Sequence, residues 1–220
     1  MERPSIRSYR IRGTRITEGQ RMAKRALQRV HGIPVTNQKV HLCEIFPTAK
    51  KIIMEIGFGM GEATTIIATN SPQNAYIAVD LHPPGIGKLL SRIQAEGITN
   101  IKVIEEDVHV VLPYMIEDEC LDGIHLFFPD PWPKSKHRKR RIVTPNFLEL
   151  TASKLKPGGY FHLATDWVPY AEAMESVFSK SMHFSGGVIA KPDWRPVTRF
   201  EEQGIDKNHR VTDLLYFRRQ

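Results

Sequence analysis

Three alternating glycines after a short apolar run constrain this chain more than anything else in it. Ile52–Ile56 leads directly into Gly57-Phe58-Gly59-Met60-Gly61. Glycines at that spacing let the backbone turn sharply and come close to a ligand. The helix expected next, Ala63–Thr69, would aim its free amides at the same point. The unit then repeats without the glycines. Tyr76–Val79 reads as a strand closed by Asp80, Gly87–Ala95 as a helix and Ile101–Ile104 as a strand. Ile124–Phe128 is a further strand, and Phe147–Leu155 a helix ended by Pro157-Gly158-Gly159. Tyr160–Ala164, a helix Tyr170–Phe178 and a last strand Leu214–Phe217 complete the series. Strands alternating with helices predict an α/β fold, a mostly parallel sheet with helices on both faces. Such sheets bind ligands at the carboxyl ends of their strands, so the residues just after each strand deserve the closest reading.

Upstream the pattern differs. Residues 1–16 read as a basic, flexible arm carrying Arg3, Arg7, Arg10, Arg12 and Arg15. Thr17-Glu18-Gly19-Gln20 fits a capping box, with a helix over 17–30 behind it. Residues 31–50 read as a linker with a short helix near Val40–Phe46. The expected organisation is therefore the arm followed by one domain over 17–220, its catalytic core at 51–220. Cys43 and Cys120 form no CxxC pair, so no zinc site is expected and the thiols should be reduced in a cytoplasmic protein. No apolar run has the length of a membrane span, and no leader-like stretch follows Met1. Lys and Arg outnumber Asp and Glu by 31 to 24; that excess points to an anionic partner, nucleic acid being the commonest.

At the glycine loop, Gly57, Gly59 and Gly61 make G-x-G-x-G. A dinucleotide loop would place its third glycine at 62, where Glu62 stands; a carboxylate there would repel a pyrophosphate. Glu55, two residues before the first glycine, suits a cation instead, and S-adenosylmethionine carries an ammonium and a sulfonium. Asp80 can accept both ribose hydroxyls. Asp107, after the third strand, can accept from the adenine amino group. Each aspartate alone also fits a turn or helix cap.

The fourth strand leads into Phe127-Phe128-Pro129-Asp130-Pro131-Trp132-Pro133-Lys134. Three prolines in five residues fix φ and remove amide donors, holding Asp130 rigidly at a strand end. Together with Glu55–Gly61, Ala164-Thr165-Asp166-Trp167 and Thr198-Arg199-Phe200-Glu201, this motif resembles the bacterial tRNA (guanine-N7)-methyltransferases over nearly the whole chain. The resemblance implies a class I methyltransferase fold: a Rossmann-like, mostly parallel seven-stranded sheet whose final strand is antiparallel. It implies cofactor contacts at Glu55, Asp80, Asp107 and Asp130, and substrate contacts at Lys134, Asp166, Thr198, Arg199, Phe200 and Glu201. The target it implies is guanosine 46 of the tRNA variable loop. One departure is Asp80, where the family usually has Glu. Trp132 matches the bacterial branch, for which no obligate protein partner is expected.

Guanine N7 carries a lone pair and no proton, so the reaction needs alignment rather than a general base. Asp130 is the expected catalytic residue, stabilising positive charge as it reaches the purine. Asp166 fits either a shared role or a helix cap. Lys134, Lys136, Arg138, Lys139, Arg140 and Arg141 follow the motif at once, where they would meet the phosphates of a docked RNA; on composition alone the run also fits a localisation signal. Two other readings remain open: a nicotinamide-dependent oxidoreductase, against which Glu62 stands, and a non-catalytic RNA-binding module, against which the complete acid set stands. The expected cofactor is S-adenosylmethionine without a metal, the partner tRNA, and the assembly a monomer or homodimer away from membranes.

Overall fold

The computed structural model describes residues 8, 9, 15–198, 201 and 211–220. The described residues fall into two compact units, 15–117 in one and Ser8, Tyr9 and those from 118 onward in the other.

The first unit is built on three parallel strands: β1 (Ile52–Ile56), β2 (Ala75–Asp80) and β3 (Ile101–Glu105). All five residues of β1 are buried. A strand covered on both faces needs a continuous apolar run rather than an alternating one, and Ile52–Ile56 supplies it with Glu55 as the exception. Five helices accompany these strands: α1 (Glu18–His31), α2 (Leu42–Ile45), α3 (Glu62–Asn70), α4 (Pro83–Glu96) and α5 (Val108–Met115). The capping box at Thr17 is present as expected, each partner bonding the other's backbone. Helix α4 begins four residues earlier than its apolar period suggested, because Pro83 and Pro84 suit a first turn that has no amide partners anyway.

Helix α5 was not expected. Its sequence, Val108-His109-Val110-Val111-Leu112-Pro113-Tyr114-Met115, is β-branched and holds a proline. Asp107 starts it by accepting from His109 N at 2.9 Å. Lys39 finishes it, donating to the carbonyls of Pro113 and Ile116, each at 2.7 Å.

The second unit holds β4 (Leu121–Phe127), α6 (Pro145–Lys154), β5 (Leu155–Thr165), α7 (Val168–Ser179), β6 (Phe184–Ile189) and β7 (Thr212–Arg218). β4 and β5 are parallel, and β7 runs antiparallel to both β5 and β6. The seven strands stand in the order β3-β2-β1-β4-β5-β7-β6. This is the expected mostly parallel sheet with an antiparallel last strand. Two details correct the reading from sequence. Pro157-Gly158-Gly159 lies inside β5 rather than beyond α6, and the β4–β5 register shifts beside it, Leu121 facing Leu155 and Gly123 facing Tyr160. That is a bulge, for which Gly158 supplies the left-handed residue at φ 76°. Strand β6 was missed: Gly186 and Gly187 in its middle weaken the strand signal. Gly186 is instead a close approach: a Cβ there would sit 2.1 Å from the Leu215 carbonyl oxygen.

Candidate active site

At the end of β1, Gly57, Gly59 and Gly61 all have positive φ, at 74°, 57° and 74°. Any L side chain is strained there. A Cβ on Gly57 would meet nothing within 4 Å, so the loop leaves open space on that side. Gly61 is pressed against Leu89, to which a Cβ would approach within 2.8 Å. Glu55 is buried immediately before this loop. Burial pushes its carboxyl up to about 7, the Thr64 hydroxyl opposing and the charge of Asp80 adding to the rise. Among the described residues no cationic side chain pairs with it. A buried carboxyl in that condition favours a cationic ligand, and the ammonium of S-adenosylmethionine fits it.

Asp80 does more than the sequence suggested. Its carboxylate accepts from Gly59 N at 2.9 Å, Leu81 N at 2.6 Å and His82 N at 2.9 Å. It therefore clasps the glycine loop to the start of α4. Burial raises its pKa, while the amides of His82, Gly59 and Leu81 and the His82 ring pull it down. A carboxylate offers about four acceptor positions, so three filled ones leave limited capacity for a ribose. Asp107 is buried and caps α5, the bland alternative weighed above; it keeps lone pairs beyond that one bond.

In the second unit the proline motif is braced from several sides. Phe128 and Trp132 both sit at positive φ, 52° and 44°. Such backbone costs about 1–3 kcal/mol per residue and persists only where surroundings impose it. Here the surroundings are visible. Phe128 N donates to the Ala164 carbonyl at 2.8 Å. The buried Trp132 indole donates to the Ser8 carbonyl at 3.0 Å, fastening the arm to the motif at that point. Arg141 Nε donates to the Pro131 carbonyl at 2.9 Å, and its guanidinium lies 4.6 Å from the centre of the Tyr170 ring. Asp130 stands half-buried between these braces.

The basic run does not trail away as a loop. Ser135–Arg140 forms a 3₁₀ helix with Lys134 at its start, and Lys134, Lys136, Arg138 and Lys139 are exposed. Arg140 lies over the Trp132 ring at 4.9 Å. Arg141, grouped with the phosphate contacts by sequence, is turned inward and holds the motif. Asp166 follows β5, but the residue at the N-cap of α7 is Trp167, with no side-chain capping bond.

The sequence reading missed a buried polar cluster behind these elements. Arg195 is fully buried between two carboxylates. It donates to Asp213 from Nε at 2.6 Å and from Nη2 at 2.8 Å. It reaches Glu201 from Nη1 at 2.6 Å and from Nη2 at 3.2 Å. Asp213 Oδ1 also lies 2.8 Å from His162 Nε2. His125 stacks on Phe127 and Trp194, and its Nε2 lies 2.9 Å from the Tyr160 hydroxyl. Burial, with the charge of His162, pushes His125 down to about 3, so it stays neutral. Glu201 is thus paired with Arg195, and its amide donates to Thr198 Oγ1 at 3.1 Å. Arg199 and Phe200 lie outside the described residues, as do Arg3, Arg7, Arg10 and Arg12. No local signal marks Arg195 for burial; its partners are 6 and 18 residues away.

Residues 49–214 match the family model described as "Putative methyltransferase". The tRNA (guanine-N(7)-)-methyltransferase of Nitrosospira multiformis is 44% identical over 98% of this chain and 95% of its own length. The chain belongs to this family. The enzyme of the same name from Streptomyces avermitilis is also 44% identical, over 98% of this chain and 76% of that one. Among solved structures, the 16S rRNA methyltransferase KamB aligns at a TM-score of 0.62 with 14% identity, over 87% of this chain and 99% of that one. A 30S ribosomal A1408 methyltransferase from an uncultured bacterium aligns at 0.60 with 18% identity, over 84% and 95%. Those two likenesses speak for the class I methyltransferase fold alone. Within the family, the glycine loop with Glu55 and Asp80 and the braced Asp130 motif are the two parts of the chain with the clearest chemistry.

Proposed function

We infer that this chain is an S-adenosylmethionine-dependent methyltransferase acting on N7 of guanine in tRNA, at guanosine 46 of the variable loop. The near-full-length similarity to enzymes of that name carries the reading. S-adenosylmethionine supplies an electrophilic methyl carbon on a positively charged sulfur. Glu55 takes the ammonium, Asp80 keeps the glycine loop folded while offering its remaining lone pair to the ribose, and Asp107 receives the adenine edge. Gly57, Gly59 and Gly61 allow the backbone close. No metal is required by this set.

Because N7 has no proton to lose, the chain's residues act by holding the base in line and by facing the charge that appears on it. Alignment of this kind supplies roughly 7–11 kcal/mol of a barrier. Asp130, held rigid by its prolines and by Trp132 and Arg141, supplies the fixed negative charge. It also accepts from the guanine N1–H and amino group, which rejects adenine. Asp166, Thr198, Arg199 and Phe200 contact the nucleotide; Glu201, paired with Arg195, contributes by holding Thr198 through its amide. Lys134, Lys136, Arg138, Lys139 and Arg140 meet phosphates, with Arg141 as the brace beneath them. The enzyme works in the cytoplasm as a monomer or homodimer without a partner subunit. Among the described residues no helix is long and apolar enough to cross a membrane.

The test is direct. Bulk tRNA incubated with the protein and methyl-labelled cofactor should yield labelled 7-methylguanosine, and a transcript with adenosine at position 46 should yield none. Label in another nucleoside, or undiminished label in the altered transcript, would overturn the assignment.

A further inference from the structure

The first unit carries a second cationic surface, remote in sequence from residues 134–140. Helix α1 buries none of its residues, yet its rotation is fixed. Gln20 meets α4 where Gly87 makes room, a Cβ on Gly87 coming within 2.6 Å of the Gln20 carbonyl oxygen. One turn on, Lys24 Nζ pairs with Glu105 Oε1 at 2.5 Å. One turn further, Gln28 Nε2 donates to Glu105 Oε2 at 3.2 Å. Lys102 Nζ closes the end of the helix on the Val30 carbonyl at 2.6 Å. Gln20, Ala23, Lys24, Leu27 and His31, the partly covered positions, therefore form the inward face, with Gln28 at its edge.

The adjacent row at the same spacing is Arg21, Arg25 and Arg29, and all three are exposed. Arg21 is paired with Glu18, itself exposed, at 2.6 Å. Arg25 and Arg29 have no acidic partner among the described residues. A row at i, i+4 and i+8 places its members about 6 Å apart along roughly 12 Å of helix. The helix is anchored, so these charges cannot disperse as they would on a coil. Guanidinium groups present planar forks suited to phosphate oxygens. A rigid line of three at that step matches one strand of a nucleic-acid backbone, whose charges also come in a regular row. A scattered acidic patch on a protein surface has no such regularity.

We propose that the α1 ridge, Arg21, Arg25 and Arg29, is an RNA phosphate-binding surface separate from the 134–140 segment. The proposal rests on the reading of tRNA as substrate. It gives the enzyme a second grip on the RNA from its other unit, independent of the chemistry of the target base.

The test compares two charge-matched double variants of the full chain. Arg25→Gln/Arg29→Gln removes the two unpaired members of the ridge. Lys50→Gln/Lys51→Gln removes two exposed lysines before β1 and controls for net charge. Affinity for an unmodified tRNA transcript is measured across a salt series. Loss of two phosphate contacts should flatten the log–log salt slope by about 1.4–1.8, raise the KM for tRNA about tenfold or more, and leave S-adenosylmethionine affinity within about twofold. The lysine pair should change the slope far less. Equal flattening in both variants would reduce the ridge to general charge, and an unchanged slope in the arginine pair would assign it to solvent; either overturns the proposal. Wild-type protein that binds tRNA but makes no 7-methylguanosine would instead overturn the functional reading, leaving the ridge to be judged on the slopes.

Discussion

The two units bury their carboxylates in opposite ways. In the first, Glu55 lies beneath the glycine loop with no cation beside it among the described residues, and burial lifts its carboxyl to about 7. In the second, Asp213 is comparably buried, and although burial pushes its pKa up, His162 and Arg195 outweigh that and bring it below the ordinary value. One carboxyl has no protein cation beside it among the described residues and gains from a cationic ligand. The other is already satisfied, and its work is to hold chain segments together. A buried acid is therefore informative about ligands only after its partners have been counted.

Breaking the satisfied cluster should cost most. Arg195→Met strands two buried carboxylates, a change worth about 3–5 kcal/mol of folding stability. Urea unfolding should show it. The triple variant R195M/E201M/D213L, with an apolar core in place of the charges, should recover most of the loss. A single variant costing under about 1 kcal/mol would mean the cluster holds nothing.

Asp130→Asn tests the charge outside both buried sets. Loss of one preorganised electrostatic contact typically lowers kcat by about 10²–10³, and single-turnover rates at saturating tRNA should show a fall of that size. Asp166→Asn should lose less. A near-normal rate at Asp130→Asn would leave that residue only a loop-fixing role.

Acid titration separates the two sets by sign. Glu55 binds its proton more tightly folded than unfolded, so the ligand-free protein should lose stability as pH rises from about 4.5 towards about 7. The loss is on the order of 3 kcal/mol, and Glu55→Gln should abolish it. Asp213 contributes the reverse: stability present above its ordinary range and lost as pH falls through its lowered folded value. Parallel pH–stability curves for wild type and Glu55→Gln would contradict the raised, cation-free state of Glu55.

The smallest expected effect is on ligand affinity. A hydrogen bond to a charged group is worth about 1.5–3 kcal/mol, so Glu55→Gln should weaken S-adenosylmethionine binding about 10–100-fold by calorimetry. Wild-type affinity should itself rise with pH up to about 7 and then level off. A pH-independent affinity would place the ammonium elsewhere.

Much of this was readable from the chain. The apolar runs located five of the strands of the central sheet and the final antiparallel one. The spacing of the glycines, Glu55 and the proline motif point at the chemistry from the sequence alone. What stayed hidden depended on partners distant in sequence. Helix α5, β-branched and holding a proline, gives no helical signal until Asp107 and Lys39 are seen at its ends. Strand β6 gives little signal until Gly186 is seen against Leu215. Nothing local marks Arg195, and Glu201 reads as a substrate contact; only their pairing with each other and with Asp213 of β7 shows why they are buried. Asp80 was read for its ligand, whereas three of its acceptor positions hold the glycine loop and the lead into α4.

The placement of β7 between β5 and β6 has a bearing on biosynthesis. Both flanking strands leave the ribosome before the strand that joins them. Domains tend to form from the amino-terminal side as they emerge, and residues 15–117 contain all the pairing partners of β2 and β3. The second unit has no such early completion. Until Thr212–Arg218 is synthesised, β6 has no ladder partner among the described strands and Arg195 lacks one of its two carboxylates. Nascent chains should thus display an open strand edge and an uncompensated guanidinium late in translation, the interval in which a chaperone or a protease would find this protein most exposed.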